Sequence, residues 1–551
     1  MTSTETIILL LPELILVLAG TLVYLSGAFF PKQSQPTLLA LLSLALVFLT
    51  LTAQDGQLIR DGVFSASFSG PLAIDLFGHT ARWFILLSGL LLVMLTRRSS
   101  NDPLRAEYTG SLLMLLAGLM ICARANDLVL IFAGLELVSI PTYVLLYLGR
   151  RGAQSQEATT KYFYLSILSS GLLLYGFSFI YGATGSTSLT LIGSTMLRNG
   201  LNVASFAGLG MLLVVAGLGF RLAAVPFHFY APDVYQGTSQ ANAGLLSTMP
   251  KVAGLLVLIR LVAVNLPGIE DLSWKVLLAI SLVTMTLGNI LALWQNNVRR
   301  LFAYSSIAHG GYLLIGVAVG IYQQQLERGG NLAFAAGEPG ISGLGSALFY
   351  VAVYTFATLG VFAVLATLGT EDKPLDRVDE LNGLSRKHLL LALALAVFLF
   401  SLADIPPLAG FWGKFNLLLG AVQASGVMNA GTTNGWFLAL AIVTVLNAAV
   451  AAAYYLRIIA AMFFRESTGK LATNINPGPK AAWALCLLLV VGGGFAAGPM
   501  LNPSQAAGVH ILGALSPISQ KAAENAMAAL PTAADTATSL AVQGTEPESC
   551  N

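Results

Sequence analysis

Charged residues are scarce in this sequence. Asp, Glu, Lys and Arg make up only 10% of its 551 residues, whereas a soluble domain carries about 25%. The formal net charge of +2 is too small for a nucleic-acid-binding surface, and we expect no nucleic acid partner. The three cysteines, Cys122, Cys486 and Cys550, stand far apart without a CxxC pair. This spacing argues against a disulfide framework and against a zinc or iron–sulfur site.

Motifs for soluble cofactors are also missing. The five histidines form no HxxxH pair, and there is no phosphate-binding GxxxxGK[ST] loop. The segment GGGFAA at Gly492–Ala497 imitates a dinucleotide fingerprint, but it lies inside an apolar run, where small residues are typical of close helix packing. No charged segment with a cleavage site marks a removable signal peptide, and the first apolar run is long enough to remain as a membrane helix.

What the sequence does contain is long apolar runs, because 56% of its residues are hydrophobic. About fourteen of the runs are long enough to span a bilayer. The predicted spans are 6–28, 36–54, 75–96, 108–125, 127–149, 158–182, 204–230, 240–264, 274–295, 301–321, 342–369, 388–424, 435–464 and 479–500.

Two of these runs contain prolines that interrupt a helix. The seventh carries Pro226 and Pro232, and the twelfth carries Pro406, Pro407 and Gly410. Proline removes a backbone donor and clashes with the preceding turn. Broken helices in the two halves of a membrane protein indicate a transport site near the middle of the bilayer. We predict an all-α polytopic membrane protein of about 14 transmembrane helices, with two inverted five-helix repeats in which helices 7 and 12 are broken.

The predicted organisation follows from the runs and from the charges of the loops. It consists of helices 1–3 (residues 1–106), a first repeat of helices 4–8 (107–264), a second repeat of helices 9–13 (265–466), helix 14 (467–502) and a partly disordered tail (503–551) with one short helix at Ser519–Leu530. Basic residues concentrate in the loops after odd-numbered helices. The positive-inside rule therefore places both termini outside, on the periplasmic side of a bacterial inner membrane.

One charge lies deep inside an apolar run. Lys251, in the eighth run, has almost only apolar, Gly, Ser and Thr neighbours. An ammonium near the middle of a membrane helix costs about 2.5–3.5 kcal/mol on insertion scales. A buried lysine can exchange its proton, so this position predicts a functional site that handles protons or ions.

Other titratable groups follow on successive helices and together suggest a proton relay. Glu136 lies half way along the fifth run and Lys414 follows the break in the twelfth; like Lys251, neither has a ready structural explanation. Arg221 precedes the break in the seventh run and is a suitable charge partner, but a poor proton carrier because it does not deprotonate. His309 in the tenth run is either a relay member or a hydrogen-bonding residue between helices.

Several further charges have two interpretations. Lys161 shares a helix face with Glu157 four residues earlier, so it is either a relay member or a side chain that reaches the membrane surface. His228 has the same two interpretations as His309: a relay member or a hydrogen-bonding residue between helices. Asp404 either caps a helix before the proline break or belongs to the site. The arginines Arg260 and Arg457, near the ends of their runs, are predicted to be interfacial anchors.

At these residues the sequence resembles a known family. The segments AGLELVSIPTYVLLYL, GFRLAAVPFHFYAPDVYQG, PKVAGLLVLIRL, GNILALWQNNVRRLFAYSSIAHGGYLLIGV and LAGFWGKF resemble the antiporter-like membrane subunits of proton-pumping NADH:quinone oxidoreductase (respiratory complex I). The PFHFYAPDVYQG segment is most similar to the N-type subunits. The resemblance extends over about residues 70–500.

The resemblance implies roles for individual residues. It matches Glu136 to the glutamate of the fifth helix, Arg221 to its partner in the seventh, Lys251 to the central lysine of the eighth, Lys414 to the distal lysine of the twelfth, and Lys161 to the sixth-helix lysine of N-type members. Two positions depart from the family. Arg221 stands where bacterial N-type subunits usually have lysine, and Asp404 stands where glycine is common and is expected to pair with Lys414.

The resemblance also implies that the enzyme is the assembly and that this chain moves protons within it. NADH, FMN, iron–sulfur clusters and quinone are then held by partner subunits, with no cofactor and no metal in this chain. The expected partners are the other membrane-arm subunits, including antiporter-like ones, and the lipid bilayer. Two alternatives remain open: a subunit of a multi-subunit cation/proton antiporter, and a scaffold whose charges only hold helices together.

Overall fold

The computed structural model describes residues 7–30, 35–60, 67–97, 102–149, 152–199, 201–263, 269–328, 341–369, 375–426, 434–466 and 476–513. Within these ranges the chain is a bundle of α-helices, which confirms the predicted all-α polytopic membrane class. The first half contains α1 (Leu11–Phe29), α2 (Pro36–Arg60), a hairpin of β1 (Ser67–Ser69) and β2 (Leu72–Ile74), α3 (Leu76–Leu95), α4 (Arg105–Arg124), α5 (Leu128–Gly149), α6 (Ala153–Thr184), α7 (Leu189–Asn199), α8 (Leu201–Leu222), α9 (Ala231–Gly237) and α10 (Gln240–Leu258), which continues as a π-helical turn over Ile259–Ala263.

The second half contains α11 (Glu270–Leu293), α12 (Val298–Arg328), α13 (Gly343–Thr367), a 3-10 turn (Val378–Leu381), α14 (Leu384–Lys387), α15 (Leu389–Leu402), α16 (Ala409–Ala424), α17 (Gly435–Phe464), α18 (Pro477–Phe495) and α19 (Gly498–Gly513). In the described part, 12 helices are long and apolar enough to cross a membrane, and two shorter apolar helices, Phe206–Leu222 and Leu389–Leu402, end at the predicted breaks. The count of fourteen spans and the two inverted repeats stay predictions.

Three elements differ from the sequence prediction. The hairpin β1–β2 and the short helix α7 lie in segments that we predicted as loops. The tail that was expected to begin at residue 503 is still helical there, because α19 continues to Gly513. The short helix predicted at Ser519–Leu530 lies outside the described residues.

The centre of the bundle is α13, which is buried along its whole length. It packs against α3, α10, α12, α15, α16, α18 and α19. Helices α10 and α12 are also nearly completely buried. Since a polar group on any of these three helices cannot reach lipid, their side chains must satisfy one another inside the protein.

The perimeter is apolar. Helices α1, α2, α17 and α18 bury well under half of their most hydrophobic stretches, and their outward side chains include Leu22 and Phe29 of α1 and Leu446 of α17. A soluble protein rarely exposes such wide apolar faces. The faces fit the acyl chains of a bilayer or the helices of neighbouring membrane subunits.

Both predicted helix breaks are present and have the same backbone construction. At the end of α8, Ala223 N–H donates to Phe220 O and Ala224 N–H donates to Gly219 O. At the end of α15, Asp404 N–H donates to Ser401 O and Ile405 N–H donates to Phe400 O. This pair of bonds is the Schellman ending of a helix. It puts Ala223 and Asp404 in the left-handed region, with φ of 54° and 61°.

Candidate functional site

The two breaks and the buried helices α10 and α12 bring several charged groups into the interior of the bundle. These groups come from five helices or breaks: Glu136 from α5, Arg221 from α8, Lys251 from α10, His309 from α12, and Lys414 from α16. Arg221, Lys251, His309 and Lys414 are buried, and Glu136 is partly buried. Of the six predicted site residues, these five therefore lie in the interior or at its edge.

The first group is a loose ion pair between Glu136 and Arg221. Nη2 of Arg221 lies 3.5 Å from Oε1 of Glu136, and the hydroxyl of Ser170 donates to the same oxygen at 2.5 Å. Arg221 also donates from Nη1 to Oγ of Ser139 at 2.7 Å. The guanidinium is thus held by the neighbouring hydroxyls as well as by the carboxylate, which can separate from it without leaving the arginine unbonded.

Lys251 lies one helix away and has a different environment. It is 1% exposed, and no carboxylate of the described residues lies within ion-pair distance of its ammonium. Its helix passes close to the first pair, because a Cβ at Gly254 would lie 3.2 Å from Cβ of Arg221. On the other side, a Cβ at Gly310 of α12 would lie 3.7 Å from Cε of Lys251. Lys251 is therefore a buried cation between α8 and α12, without an acidic partner in the described part of the chain.

His309 lies near both buried lysines, within a cluster of tyrosines. Its Nδ1 lies 2.6 Å from the hydroxyl of Tyr350 and its Nε2 lies 3.2 Å from the hydroxyl of Tyr455. The ring of Tyr354 is 4.7 Å from the imidazole, centroid to centroid. His309 is close enough to interact electrostatically with both Lys251 and Lys414, and it directly precedes Gly310 in α12.

Hydroxyl groups continue this cluster toward Lys251. The hydroxyl of Tyr354 donates to Ser306 Oγ at 2.9 Å and reaches the carbonyl of Ser247 at 3.2 Å. Ser247 lies one turn before Lys251 on α10. Hydroxyls donate and accept at the same time, so these side chains satisfy one another inside the bundle.

The second group is an ion pair between Lys414 and Asp404. Nζ of Lys414 contacts Oδ2 of Asp404 across the break between α15 and α16, and it stands 4.0 Å above the ring centroid of Tyr312. The phenol of Tyr312 accepts from Asn289 at 2.9 Å. Asp404 does not cap a helix, because α16 begins with Leu408 as its N-cap. The structure therefore supports the pairing that was expected between Asp404 and Lys414.

Lys161 is not part of this buried row. Its side chain is 41% exposed and pairs with Glu157 at 2.7 Å and with Asp233 at 3.0 Å. Asp233 also binds Arg300 at 2.6 Å. These residues form a partly exposed charged patch around α9. Glu157 is itself 62% exposed near the start of α6, as the surface interpretation predicts.

A second buried charge cluster lies beyond the C-terminal end of α10, and the sequence analysis did not predict it. Arg260 was predicted to be an interfacial anchor, but it is 4% exposed, and this prediction is wrong. Its guanidinium binds both oxygens of Asp75 at 2.5 and 2.8 Å and donates to the carbonyl of Ala123. In the same region Arg82 binds Glu13 at 3.4 Å. The contacts of Arg260 tie the π-helical turn after α10 to the start of α3 and the end of α4, and the pair of Arg82 and Glu13 joins α3 to α1.

The sequence analysis also did not predict the tyrosine cluster as a site. A tyrosine in an apolar run usually packs in a core, and only the fold shows that these hydroxyls converge. The usable signal was the pair Tyr350 and Tyr354, spaced i and i+4 on a helix that is otherwise almost entirely apolar. That spacing puts both on one helix face.

Comparison of the sequence with known proteins identifies one family. The family described as NADH:quinone oxidoreductase/Mrp antiporter, transmembrane, matches residues 125–327 and 330–438, more than half of the chain. A Trichlorobacter lovleyi protein named NADH-quinone oxidoreductase subunit N is 38% identical over 462 residues, which cover 83% of this chain and 87% of that protein. A Rhodospirillum rubrum protein of the same name is 36% identical over 470 residues, covering 84% of this chain and 88% of the relative.

Solved structures show the same fold. A chain of the respiratory complex I of Thermus thermophilus, determined with bound aureothin, has a TM-score of 0.71 at 29% identity and covers 89% of this chain and 98% of its own length. A chain of the Mrp complex from a Dietzia species has a TM-score of 0.74 at 20% identity, covering 94% of this chain and 99% of its own length. The second similarity is one of fold alone.

Proposed function

This chain belongs to the NADH:quinone oxidoreductase/Mrp antiporter transmembrane family, and we propose that it is the N-type proton-translocating subunit of an NADH:quinone oxidoreductase. The observation that carries the proposal is the row of buried and partly buried titratable groups at 136, 221, 251, 309 and 414, within a bundle of membrane-length helices. Charges in such positions are costly, and in membrane proteins they mark ion and proton pathways. The identity with proteins named subunit N supports the choice within the family.

In this proposal the pair of Glu136 and Arg221 is the switch. At 3.5 Å and an effective dielectric constant of about 20, two unit charges attract by about 5 kcal/mol. When the pair closes, the charges compensate each other. When Glu136 moves away, the fixed positive charge of Arg221 acts on the neighbouring helix that carries Lys251. Arg221 changes the field and does not carry the proton, because a guanidinium does not titrate in proteins.

The proton moves from Lys251 toward Lys414. The side chains of Tyr354, His309 and Tyr350 provide donors and acceptors between the two lysines, and imidazole is suited to pass a proton from one nitrogen to the other. Lys161 lies outside this path. Its pairs with Glu157 and Asp233 stabilise the charged patch around α9.

The driving reaction belongs to other subunits. NADH, FMN, iron–sulfur clusters and quinone are proposed to bind partner chains, and the other antiporter-like membrane subunits are proposed to continue the relay. The chain is placed in the bacterial inner membrane with both termini on the periplasmic side. The alternative is a subunit of a cation/proton antiporter. This chain shares its fold with a chain of the Dietzia Mrp complex, but their sequence identity is only 20%, compared with 38% for the Trichlorobacter subunit N.

Purification of the tagged chain from its native membrane tests the proposal. We expect it to copurify with subunits that oxidise NADH and reduce quinone, and in this complex Glu136→Gln should lower the number of protons pumped per electron. Glu157→Gln is the matched control, because it neutralises an exposed carboxylate on the adjacent helix and should leave that ratio unchanged. Copurification with antiporter subunits alone would refute the proposed assembly, and normal pumping by Glu136→Gln would remove Glu136 from the mechanism.

A further inference from the structure

Asp404 occupies a backbone position that suits glycine better than any other residue. It is the residue after the last helical turn of α15, with φ of 61°, and this position of a Schellman ending is most often glycine. An L-residue in the left-handed region loses about 1 kcal/mol relative to glycine. At the same position of the other break stands Ala223, which has no polar side chain and φ of 54°. The backbone therefore does not require a carboxylate at either break.

The carboxylate at 404 points to the buried lysine beyond the break. Oδ2 of Asp404 contacts Nζ of Lys414, while Oδ1 is buried and receives no hydrogen bond from a described residue. The lysine has the ring of Tyr312 as its other close neighbour. Two buried charges remain ionised most favourably when further hydrogen bonds satisfy them. Here few are present, because Oδ1 of Asp404 has no hydrogen-bond partner among the described residues, and this weakens the preference for the ionised pair over the neutral pair of amine and carboxylic acid.

We propose that Asp404 accepts the proton of Lys414 and is the relay station that follows this lysine, an inference that rests on the function proposed above. One N–H bond of Nζ breaks and an O–H bond forms on Oδ2. The ammonium becomes an amine and the carboxylate becomes a carboxylic acid, so the pair has no net charge before or after the step. A lysine that released its proton to a distant acceptor would instead leave Asp404 as an uncompensated buried anion.

The groups that face this ion pair from the neighbouring helices are phenols and an imidazole. The groups around Asp404 from α12, α13 and α17 are the phenols of Tyr312, Tyr350 and Tyr454, and His309 interacts with Lys414 from α12. Among the described residues, Asp404 is the one carboxylate within ion-pair distance of Lys414. Phenols and imidazole can pass a proton to this pair, and the carboxylate is its acceptor.

Two substitutions separate this role from a structural one. Asp404→Gly removes the carboxylate and relieves the backbone, and Asp404→Asn keeps the shape, since asparagine tolerates the left-handed region. If Asp404 accepts the proton, both variants of the intact complex, reconstituted into vesicles, should lose this subunit's share of the protons pumped per electron. If Asp404 serves only as the charge partner that stabilises Lys414, both variants should lower the melting temperature of the complex and leave the ratio unchanged. An unchanged ratio in both variants overturns the proposal.

Ala223→Gly is the matched control, because it relieves the same backbone position at the other break and removes no titratable group. It should leave the ratio unchanged; a loss as large as that of Asp404→Gly would show that backbone freedom is the cause, and would overturn the proposal. Lys251→Gln distinguishes the two proposals. If Lys251→Gln lowers the ratio and neither Asp404 variant does, the proposal for Asp404 is wrong and the proposed relay remains. If Lys251→Gln pumps normally, the proposed relay itself is wrong.

Asp404→Glu covers the case in which the uncharged variants do not assemble. It keeps a carboxylate opposite Lys414 and therefore does not leave the lysine unpaired in the interior. Infrared difference spectra of the wild-type complex during turnover should contain a protonated-carboxyl band, and this band should shift in Asp404→Glu. A band that is absent, or that is identical in the two complexes, overturns the proposal.

Discussion

Replacing Lys251 by methionine should not destabilise the protein, but it should lower the number of protons pumped per electron. Methionine has nearly the length of lysine without the charge, so the cavity between α8 and α12 stays filled. Lys251 is 1% exposed and has no carboxylate partner among the described residues. The substitution therefore removes a charge whose burial costs about 2.5–3.5 kcal/mol on insertion scales, and it breaks no ion pair. We expect the melting temperature of the purified complex to remain the same or to rise.

The same substitution at Lys414 is the control, and it should have the opposite effect on stability. Lys414→Met leaves Asp404 without its partner in a buried position. Removing one member of a buried pair costs about 3–5 kcal/mol, although protonation of the orphaned carboxyl recovers part of this loss. The melting temperature should therefore fall in Lys414→Met, while both variants should pump fewer protons per electron than the wild type.

Thermal unfolding of the complex and proton pumping by reconstituted vesicles are the two measurements. A melting temperature that falls equally in both variants would show that Lys251 also has a stabilising partner, and the description of Lys251 as an unpaired buried cation would be wrong. Normal pumping by Lys251→Met would exclude Lys251 from the relay. Stability and function are thus expected to change in opposite directions at Lys251 alone.

Two further predictions concern the buried pair of Arg260 and Asp75 and the orientation of the chain in the membrane. Arg260→Met should lower the melting temperature, because it leaves the buried Asp75 without its partner, at a cost of about 3–5 kcal/mol. Arg457→Met is the control: it removes hydrogen bonds to two carbonyls and should destabilise the protein less. Equal losses of stability would contradict a special role for the pair of Arg260 and Asp75. A membrane-impermeant maleimide should label Cys550 on intact cells, with Cys550→Ser as the control, since the other two cysteines are buried. Labelling only after lysis would show that the C-terminus lies inside.

The sequence predicts the buried charges well where a charge has only apolar neighbours. Lys251 and Glu136 were found in this way, because lipid and packed helices both exclude an isolated charge. The same reasoning does not predict whether Lys161 is buried or exposed. Helix α6 has 32 residues and is about 48 Å long, longer than a bilayer core is thick. A position within such a helix does not reveal its depth, and the exposed pairs of Lys161 became visible only in the fold.

Long-range pairs mark the other limit of the sequence analysis. Arg260 and Asp75 are separated by 185 positions, and each lies near the end of an apolar run, where surface anchors are common. Nothing local to either residue indicates a partner. The breaks of the seventh and twelfth helices, in contrast, were predicted correctly because proline acts through its own residue and the turn before it. Local backbone chemistry was therefore predictable, and the pairing of distant charges was not.

The two breaks share one backbone geometry but have different charge arrangements, and we expect this difference to give the proposed relay a direction. Counted from the left-handed residue, the first break has a fixed cation two positions earlier, Arg221, and an acid ten positions later, Asp233. The second break has an apolar residue two positions earlier, an acid at the left-handed position itself, and Lys414 ten positions later. A permanent positive charge beside the first break repels a proton on the neighbouring helix, and the acid within the second break attracts it. Exchange of these charges between the breaks would reverse the field along the row without changing either backbone.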